Sequence, residues 1–384
     1  MDKAIYGLVQ AARQYYKKFV NIMTVELGFR KCLADPCLLE RETELGKVVV
    51  CVYVDDTMCV GDRAAIDQLK TEIQSHFNIK DEEKMKEYVG CTVHREESGK
   101  LTMWQPHLLR KIELEFGEEL KDMRTYATPA GPGETIIRMS DEEKETLGLK
   151  KEKQTRYRSG VGMLLYLIKF SRPDIANSVR ELSKAMDRAT ESHYQSLLRV
   201  LHYVITTKDL GLFFDAGILN SFLGIWRILA FCDSDFAGDK NTRISVTGFC
   251  IYIGSCLISW KSRGQKSVTL SSTEAEYIAV SEVCTEIIFI KQVLEFLGIK
   301  IQYPITVNCD NVGAIFLAYN AKNSQRTKHV DIREHYVRQY VEDGTIKIIF
   351  VKSEDNAADT FTKNVSGNIF KKHAITSLKK VERK

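Results

Sequence analysis

The 384-residue sequence lacks several features that define whole classes of proteins. No apolar run is long enough for a helix to cross a bilayer, so we expect no membrane partner. The opening residues, MDKAIYGLVQAARQYYKKF, show no basic-then-apolar pattern, so we expect no secretory signal. None of the ten cysteines forms a C-x-x-C pair, which argues against a disulfide framework or a zinc module. A reducing, intracellular location, cytoplasmic or nuclear, fits this cysteine pattern.

The composition is that of a folded protein. Hydrophobic residues make up 44% of the chain and charged residues 28%, which excludes a disordered tail, and the length predicts two or three domains. The formal net charge of +4 neither requires nor excludes a nucleic-acid partner. The distribution of charge matters more than its sum.

Turn residues and charge runs divide the chain into five parts. The stretch ATPAGPGE and the charged run after it predict an exposed linker. Before it, hairpin and helix patterns alternate, such as the strand-turn-strand KVVVCVYVDDTMCVGD and a helix that Gly117 would end. The C-terminal end is basic, and it either binds phosphates or is a solvated tail. The predicted parts are an α+β block at 1–126, the linker at 127–156, a helical region at 157–225, an α/β domain at 226–365 and the tail at 366–384.

The α/β domain places two acids where strands end. Three consecutive strand patterns, followed by helix, strand, helix, strand and helix, predict a five-stranded mixed sheet flanked by helices. Asp233 ends the apolar strand WRILAFCD, and Asp310 ends ITVNCD. If these strands are parallel neighbours, both side chains lie at adjacent C-terminal ends, where open α/β sheets place their sites.

Two further acids come from helices. Glu276 flanks the apolar stripe of a long helix, whereas Glu274 stands three residues after Ser271, the spacing of a capping box. Asp359 opens the last helix. Each acid also has an ordinary interpretation as a turn or helix-terminus residue, and Asp235 is an alternative to Asp233.

Four acids from separate elements that converge on one sheet edge repel one another unless a cation neutralises them. Hard cations prefer oxygen ligands, and Mg²⁺ is the usual ion at carboxylate sites that also bind phosphates. We therefore expect two Mg²⁺ ions, with Mn²⁺ as the alternative, held so that they activate a water and stabilise a leaving oxygen.

The last domain resembles the ribonuclease H of copia-type LTR retrotransposons. The matching stretches include FCDSDFAGD, SVTGFCIYIG, STEAEYIAVSE, VNCDNVGAIFLA and EDNAADTFTK. The resemblance implies that Asp233, Glu276, Asp310 and Asp359 are catalytic metal ligands and that the substrate is the RNA strand of an RNA–DNA hybrid. Cellular ribonucleases H carry a His shortly before the last Asp, but the loop here is VKSEDN. His329 and His335 lie upstream of that loop. They either have structural or phosphate-facing positions or act directly in catalysis.

The first block resembles the palm of a copia-type reverse transcriptase. The similar segments are YGLVQAARQYYKKF, DPCLLE and YVDD. The resemblance implies that Asp55 and Asp56 hold Mg²⁺ for nucleotide addition and that Gln10 contacts the nucleotide. The middle block resembles the family's thumb and connection. Its charges are either helix-surface charge or contacts with nucleic acid. The candidate nucleic-acid contacts are Arg158 and Arg172 in this block and Lys328 and Arg333 in the last domain.

The expected function is hydrolysis of the RNA strand of RNA–DNA hybrids by two-metal catalysis in a reverse transcriptase/ribonuclease H fragment. The alternative is a catalytically inactive relic that binds nucleic acid. A polynucleotidyl transferase of the same fold, such as an integrase, is a further rival, but those enzymes usually use three acids, and Asp359 is a fourth.

We expect no RNA-directed DNA polymerase activity from this chain alone, because in the family a third metal-binding Asp and the fingers region come well before YGL. Only six residues precede Gly7 here. Two-metal polymerisation needs that third carboxylate, which another chain would have to supply. Primer extension on an RNA template with Mg²⁺ measures this, and clear extension by the purified chain would contradict the expectation.

Overall fold

The computed structural model describes residues 9–54, 56–83, 85–215, 217, 224–320 and 328–381, apart from the side chains at 9, 328–332 and 334. These residues form two compact units. The first comprises the described residues up to Tyr88 together with Ile288–Lys300, and the second comprises Val89–Ile287 and the residues from Ile301 onward. Within this part of the chain, no helix combines the length and apolarity needed to span a bilayer.

The first unit is an antiparallel sheet of order β1-β2-β3-β4 with helices packed on one face. In β3, Val48, Val50 and Val52 alternate as buried residues, so one face of the sheet carries the core. Leu69 and Ile73 of α2, four residues apart and so on one side of the helix, pack against that face. The elements are α1 (Val9–Asn21), a π-helical turn (Ile22–Glu26), β1 (Arg30–Lys31), β2 (Leu38–Thr43), β3 (Gly46–Tyr53), β4 (Asp56–Gly61), α2 (Arg63–Gln74) and β5 (Glu87–Tyr88).

The second unit contains the helices, the hairpin and the sheets that follow. Its first elements are β6 (Cys91–Arg95), β7 (Leu101–Trp104), α3 (Pro106–Leu120), α4 (Asp141–Leu147), α5 (Lys151–Phe170), a 3₁₀ turn (Pro173–Ile175), α6 (Ala176–Ser183), α7 (Glu191–Thr206), β8 (Leu210–Phe214) and β9 (Ile225–Trp226). Strands β6 and β7 form an antiparallel hairpin, with Gly99 at a positive φ of 84° in its turn.

Five strands of the second unit form a mixed sheet of order β12-β11-β10-β14-β15. The three consecutive strands pair antiparallel, and β14 and β15 extend the sheet in parallel with β10. The predicted five-stranded mixed sheet flanked by helices is therefore confirmed. The remaining elements are β10 (Ile228–Asp235), β11 (Val246–Ile253), β12 (Cys256–Gly264), α8 (Ser272–Phe296), β13 (Lys300–Ile301), β14 (Ile305–Cys309), α9 (Val312–Tyr319), α10 (Lys328–Glu342), β15 (Ile346–Phe350), a 3₁₀ turn (Ser353–Asp355), α11 (Asp359–Thr362), α12 (Gly367–His373) and β16 (Leu378–Lys380).

The boundaries of the five predicted parts of the chain stay predictions. Two local features of the structure differ from what the sequence predicts. Helix α3 continues through Gly117, because Phe116 and Leu120 are buried four residues apart and their packing outweighs a glycine cost of about 1 kcal/mol. The stretch 127–156, expected to be an exposed linker, buries Ile136 and Leu149 in the helical core and contains α4.

The basic C-terminal segment is built into the fold and is not a solvated tail within its described residues. Strand β16 pairs antiparallel with β8, and the pairing aligns Leu378 with Leu212. Phe370 of α12 is buried in the helical core. Apolar residues between the lysines account for this, because they supply enough buried surface to order the segment.

A buried ion pair anchors the helical region. The Arg172 side chain is 1% exposed, and its Nε and Nη2 donate to the two carboxylate oxygens of Asp174 at 2.9 and 2.8 Å. Tyr203 Oη donates to the same carboxylate at 2.9 Å, and Arg172 Nη2 also donates to Thr207 Oγ1 at 2.8 Å. The expectation that Arg172 contacts nucleic acid is wrong for this fold, because its donors are spent inside the protein and no phosphate can reach them.

Replacing Arg172 by Met should lower the free energy of unfolding by about 3–5 kcal/mol, because the buried Asp174 carboxylate would lose its partner of opposite charge and keep only the Tyr203 hydroxyl. Urea denaturation measures the loss. The matched control is Arg158→Met, in which the lost side chain is exposed and should cost about 1 kcal/mol or less. Similar small losses in both variants would contradict a structural role for the buried pair.

Candidate metal centre

Asp233 and Asp310 stand at the same level of two neighbouring parallel strands. In the pairing of β10 with β14, Phe231 lies opposite Asn308, so Asp233 and Asp310 each follow two residues later. This is the arrangement predicted from the sequence. Strand β10 continues to Asp235, and Asp233 is 3% exposed whereas Asp310 is half-buried.

Asp359 reaches this edge because α11 packs directly on the sheet. Gly248 of β11 pairs with Asp233, and a Cβ at Gly248 would lie 2.6 Å from Thr362 Cγ2 and 3.0 Å from the Ala358 carbonyl oxygen. The missing side chain therefore makes room for the helix that begins with Asp359. The fully buried Asn356 also ties this segment to the sheet, because its Nδ2 donates to the Cys232 carbonyl at 2.9 Å.

The acids meet in two groups that share one member. Carboxylate oxygens of Asp233, Asp310 and Asp359 lie within 4.8 Å of one another. A carboxylate oxygen of Glu276 lies within the same distance of Asp310 and of Cys309 Sγ. The structure thus brings the four predicted acids to one place, with Asp310 between them.

Hydroxyl groups hold two of these carboxylates. Thr362 Oγ1 donates to Asp233 Oδ2, and Ser353 Oγ donates to Asp310 Oδ2 at 2.6 Å. Ser353 belongs to the VKSEDN loop, in which the sequence has no His. The backbone N–H of Ser234 donates to Glu276 Oε1 at 3.1 Å.

Burial and mutual repulsion disfavour the state in which all carboxylates of the cluster are ionised. Burial raises the pKa of Asp233 to about 7, and the neighbouring Asp359 carboxylate adds to the rise. Burial likewise raises the pKa of Glu276 to about 10, with a further contribution from Asp233. Lys363 Nζ, 3.0 Å from Asp359 Oδ1, offsets part of the charge. Burial alone would lower the pKa of Lys363, but Asp233 and Asp359 raise it above its ordinary value.

The donor set fits a hard divalent cation. Glu276 Oε2 is a buried oxygen that accepts no hydrogen bond from the described residues, and buried Asp359 Oδ1 has only the Lys363 ammonium group beside it. Oxygen atoms left open in this way, on carboxylates that repel each other, are what an oxygen-seeking cation would satisfy. The cluster is therefore a candidate divalent metal site.

Two other acids considered in the sequence, Glu274 and Asp235, do not belong to the convergent groups among the described residues. Ser271 Oγ accepts from the Glu274 backbone N–H at 3.1 Å, so Glu274 caps helix α8 as predicted. Its own carboxylate accepts from Leu270 N at 2.8 Å. Asp235 belongs to neither convergent group found among the described residues.

The other predicted site residues are not among the convergent groups found in the described part of the chain. Asp55 is not among the described residues. Asp56 opens β4, is exposed and pairs with Tyr53 across the hairpin. Gln10 is exposed on α1.

The basic candidates also divide. Arg158 is exposed and donates to the carbonyls of Met186 and Asp187 at 2.7 and 3.0 Å. Arg333 is half-buried and His335 is exposed on α10. The side chains of Lys328 and His329 lie outside the described residues.

Sequence reasoning missed five residues that shape the cluster. Neutral hydroxyls, a glycine and an amide carry no charge pattern, and the lysine was not distinguished from other surface charge. All except one lie in stretches already matched to the family, which is the signal that could have found them. They are Gly248, Asn356, Thr362 and Lys363 in those stretches, and Ser353 in the preceding loop.

Comparison with known proteins defines the class. A family model described as reverse transcriptase (RNA-dependent DNA polymerase) matches residues 1–132. The retrovirus-related Pol polyprotein from transposon RE1 of Arabidopsis thaliana is 34% identical over 97% of this chain and 24% of its own length. That from transposon TNT 1-94 of Nicotiana tabacum is 34% identical over 96% of this chain and 27% of its own length.

The chain belongs to the copia-type Pol polyproteins, and its residues 1–132 match the reverse transcriptase family. It spans about a quarter of the length of these curated relatives. Among solved structures, LC11-RNase H1 isolated from compost matches 38% of this chain and 96% of its own, at 14% identity and a TM-score of 0.27. That likeness is too weak to bear on function.

Gly248→Ala should destabilise the second unit by about 1–3 kcal/mol, because the added methyl group meets α11 at less than contact distance. Displacing α11 moves Asp359, so stabilisation by Mg²⁺ should shrink as well. Thermal unfolding with and without Mg²⁺ measures both effects. Gly264→Ala in the same sheet is the control, since a Cβ there has 3.7 Å to its nearest neighbour, Ile244 Cγ2. Equal behaviour of the two variants would show that Gly248 does not position the Asp359 helix.

Proposed function

We propose that this chain hydrolyses the RNA strand of RNA–DNA hybrids at the carboxylate cluster. The observation that carries the proposal is the convergence of Asp233, Asp310 and Asp359 within 4.8 Å, with Glu276 beside Asp310. The packing of the described core gives no reason for four acids at one sheet edge, whereas a pair of divalent ions that assists phosphodiester hydrolysis is suited to such a carboxylate cluster.

Asp233, Glu276, Asp310 and Asp359 would hold the divalent ions, two Mg²⁺ or alternatively Mn²⁺. Bound ions would supply the activation of water and the stabilisation of the leaving oxygen as the phosphorus–oxygen bond breaks. The protein's own part is to fix its carboxylates in place before the substrate arrives. Thr362 and Ser353 do so by donating to Asp233 and Asp310, and both act as positioning residues.

The absence of a His in the VKSEDN loop is consistent with this division of roles. Ser353 occupies that loop and orients Asp310 without offering a group that titrates near neutral pH. Proton transfer would therefore depend on the solvent and on the carboxylates. His335 is exposed on α10 and stays a candidate phosphate contact.

The hybrid would be gripped through its phosphates and its shape, without base specificity. Arg158 is a candidate for this contact because its side chain is exposed, and Arg333 and Lys328 are further candidates. Binding should then weaken steeply with salt.

The reverse transcriptase part of the proposal concerns the YVDD hairpin. Asp55 and Asp56 would hold Mg²⁺ and Gln10 would contact the nucleotide in a polymerase centre. The exposed position of Asp56 at the hairpin leaves it accessible to such partners. We also propose an intracellular site of action, which the ten free cysteines support.

Cleavage of a labelled RNA–DNA hybrid in Mg²⁺ tests the nuclease proposal. Glu276→Gln and Asp310→Asn should each lower the cleavage rate by about two orders of magnitude or more, because each removes charge from the ion-binding cluster. The matched control for the first is Glu274→Gln on the same helix, which keeps an oxygen for the cap and should cleave normally.

Three outcomes would count against the proposal. Cleavage that survives Asp310→Asn would show that the site is elsewhere. Hybrid binding without any cleavage by the parent chain would favour the inactive relic instead. Cleavage of double-stranded DNA in preference to the hybrid would favour the integrase-like rival.

A further inference from the structure

One of the two ligand groups contains a thiol. Cys309 ends β14 directly before Asp310, and its Sγ lies within 4.8 Å of carboxylate oxygens of Glu276 and Asp310. Cys309 is fully buried, and its thiol contacts the Asn311 carbonyl at 3.9 Å and hydrogen-bonds the Cys232 thiol. Hydrogen bonds of sulfur are weak, so a cation that binds the Cys309 sulfur can displace them.

The second observation is an unsatisfied oxygen at the same place. Glu276 is 6% exposed, and its Oε2 accepts no hydrogen bond from the described residues while Oε1 is held by Ser234 N. Asp310 is bound by Ser353 through Oδ2, which leaves its other oxygen for a ligand contact. The two carboxylates thus each have one oxygen left for a cation, beside the weakly held Cys309 sulfur.

Sulfur changes the cation that such a group selects. Mg²⁺ avoids thiolates, whereas Zn²⁺ and Cd²⁺ bind Cys sulfur together with carboxylate oxygen, and three protein ligands leave a fourth position for water. Ligand atoms around one Zn²⁺ are separated by about 3.5 Å, as its bond lengths imply. The present separations require movements of roughly 1 Å, which the Glu276 side chain can make by rotation.

We propose that Glu276, Cys309 and Asp310 form a site for a thiophilic divalent cation such as Zn²⁺. On binding, the cation replaces the Cys309 thiol proton, which passes to solvent, and two carboxylates complete the protein ligands. Since Glu276 and Asp310 also belong to the hydrolytic cluster, an ion bound here would exclude Mg²⁺. The resulting inhibition rests on the proposed function, but the binding does not.

Cys232 provides a matched comparison. It precedes Asp233 on β10 as Cys309 precedes Asp310 on β14, and it is equally buried. Its thiol donates to the Asn308 carbonyl at 3.6 Å and hydrogen-bonds the Cys309 thiol, and it belongs to neither ligand group among the described residues. Replacement of Cys232 by Ser keeps a hydrogen-bonding group beside Cys309, so the site should lose its sulfur ligand only in Cys309→Ser.

Cd²⁺ titration of the full chain tests the proposal through the ultraviolet charge-transfer absorption of cadmium–thiolate bonds. The parent chain should bind one Cd²⁺ that Cys309→Ser loses and Cys232→Ser keeps. Glu276→Gln should weaken this binding at least tenfold, and millimolar Mg²⁺ should compete with it. Repeating the titration with the partly exposed Cys37, Cys51 and Cys59 changed to Ser removes background binding.

Retention of the band in Cys309→Ser, or equal loss in Cys232→Ser, would overturn the proposal. Circular dichroism melting of each variant without metal shows whether it is folded, and a variant that fails to fold is replaced by Cys309→Ala. The absorption measurement needs no nuclease activity, so a chain that binds Cd²⁺ at Cys309 but cleaves no hybrid would support this site and refute the nuclease. Cleavage with no thiol-dependent Cd²⁺ binding would do the reverse.

Discussion

Repulsion among carboxylates at one edge of the mixed sheet is the constraint on which the rest of the second unit depends. Asp233 and Asp359 are 3% and 7% exposed, so little water screens their charges. The fold answers with Lys363 and with the hydroxyls of Thr362 and Ser353. These groups do not suffice, because the pKa of Asp233 still rises to about 7, with burial as the main cause and Asp359 adding to it. A cation should therefore bind more strongly at this cluster than at carboxylates exposed on the surface.

The buried charges of the helical region show what a structural solution looks like. Arg172 and Asp174 meet through a two-pronged hydrogen bond, and Tyr203 and Thr207 take up further donors and acceptors. Every charge there has a partner of opposite sign. At the sheet edge, like charges face each other and buried oxygens such as Glu276 Oε2 accept no hydrogen bond from the described residues. In a structural ion pair the charges and hydrogen bonds are satisfied within the protein, whereas in a ligand-binding cluster some of them are left for the ligand.

The elements carrying the four acids could be predicted because each follows from a local pattern. Strand alternation and strand order placed Asp233 beside Asp310, and the capping role of Glu274 left Glu276 free for the cluster. Contacts between distant elements could not be predicted in this way. The burial of Arg172 depends on α7, and a charged residue in a sequence is ordinarily expected at the surface. The pairing of the C-terminal segment with β8 could not be predicted, because strand pairing across more than 160 residues leaves no trace in local composition.

Topology alone does not decide function, since one fold supports many sites. What distinguishes this sheet edge is that Asp310 is shared between an all-oxygen group and a group containing Cys309. The two groups differ in the softness of one ligand atom, and their charges are similar only once the Cys309 thiol has lost its proton. Cation choice at such a centre must therefore follow ligand chemistry and metal availability more than net charge. Because Cys309 and Asp310 are consecutive residues at the end of β14, a thiol and a carboxylate both lie next to Glu276. The choice of cation is therefore set where this strand ends.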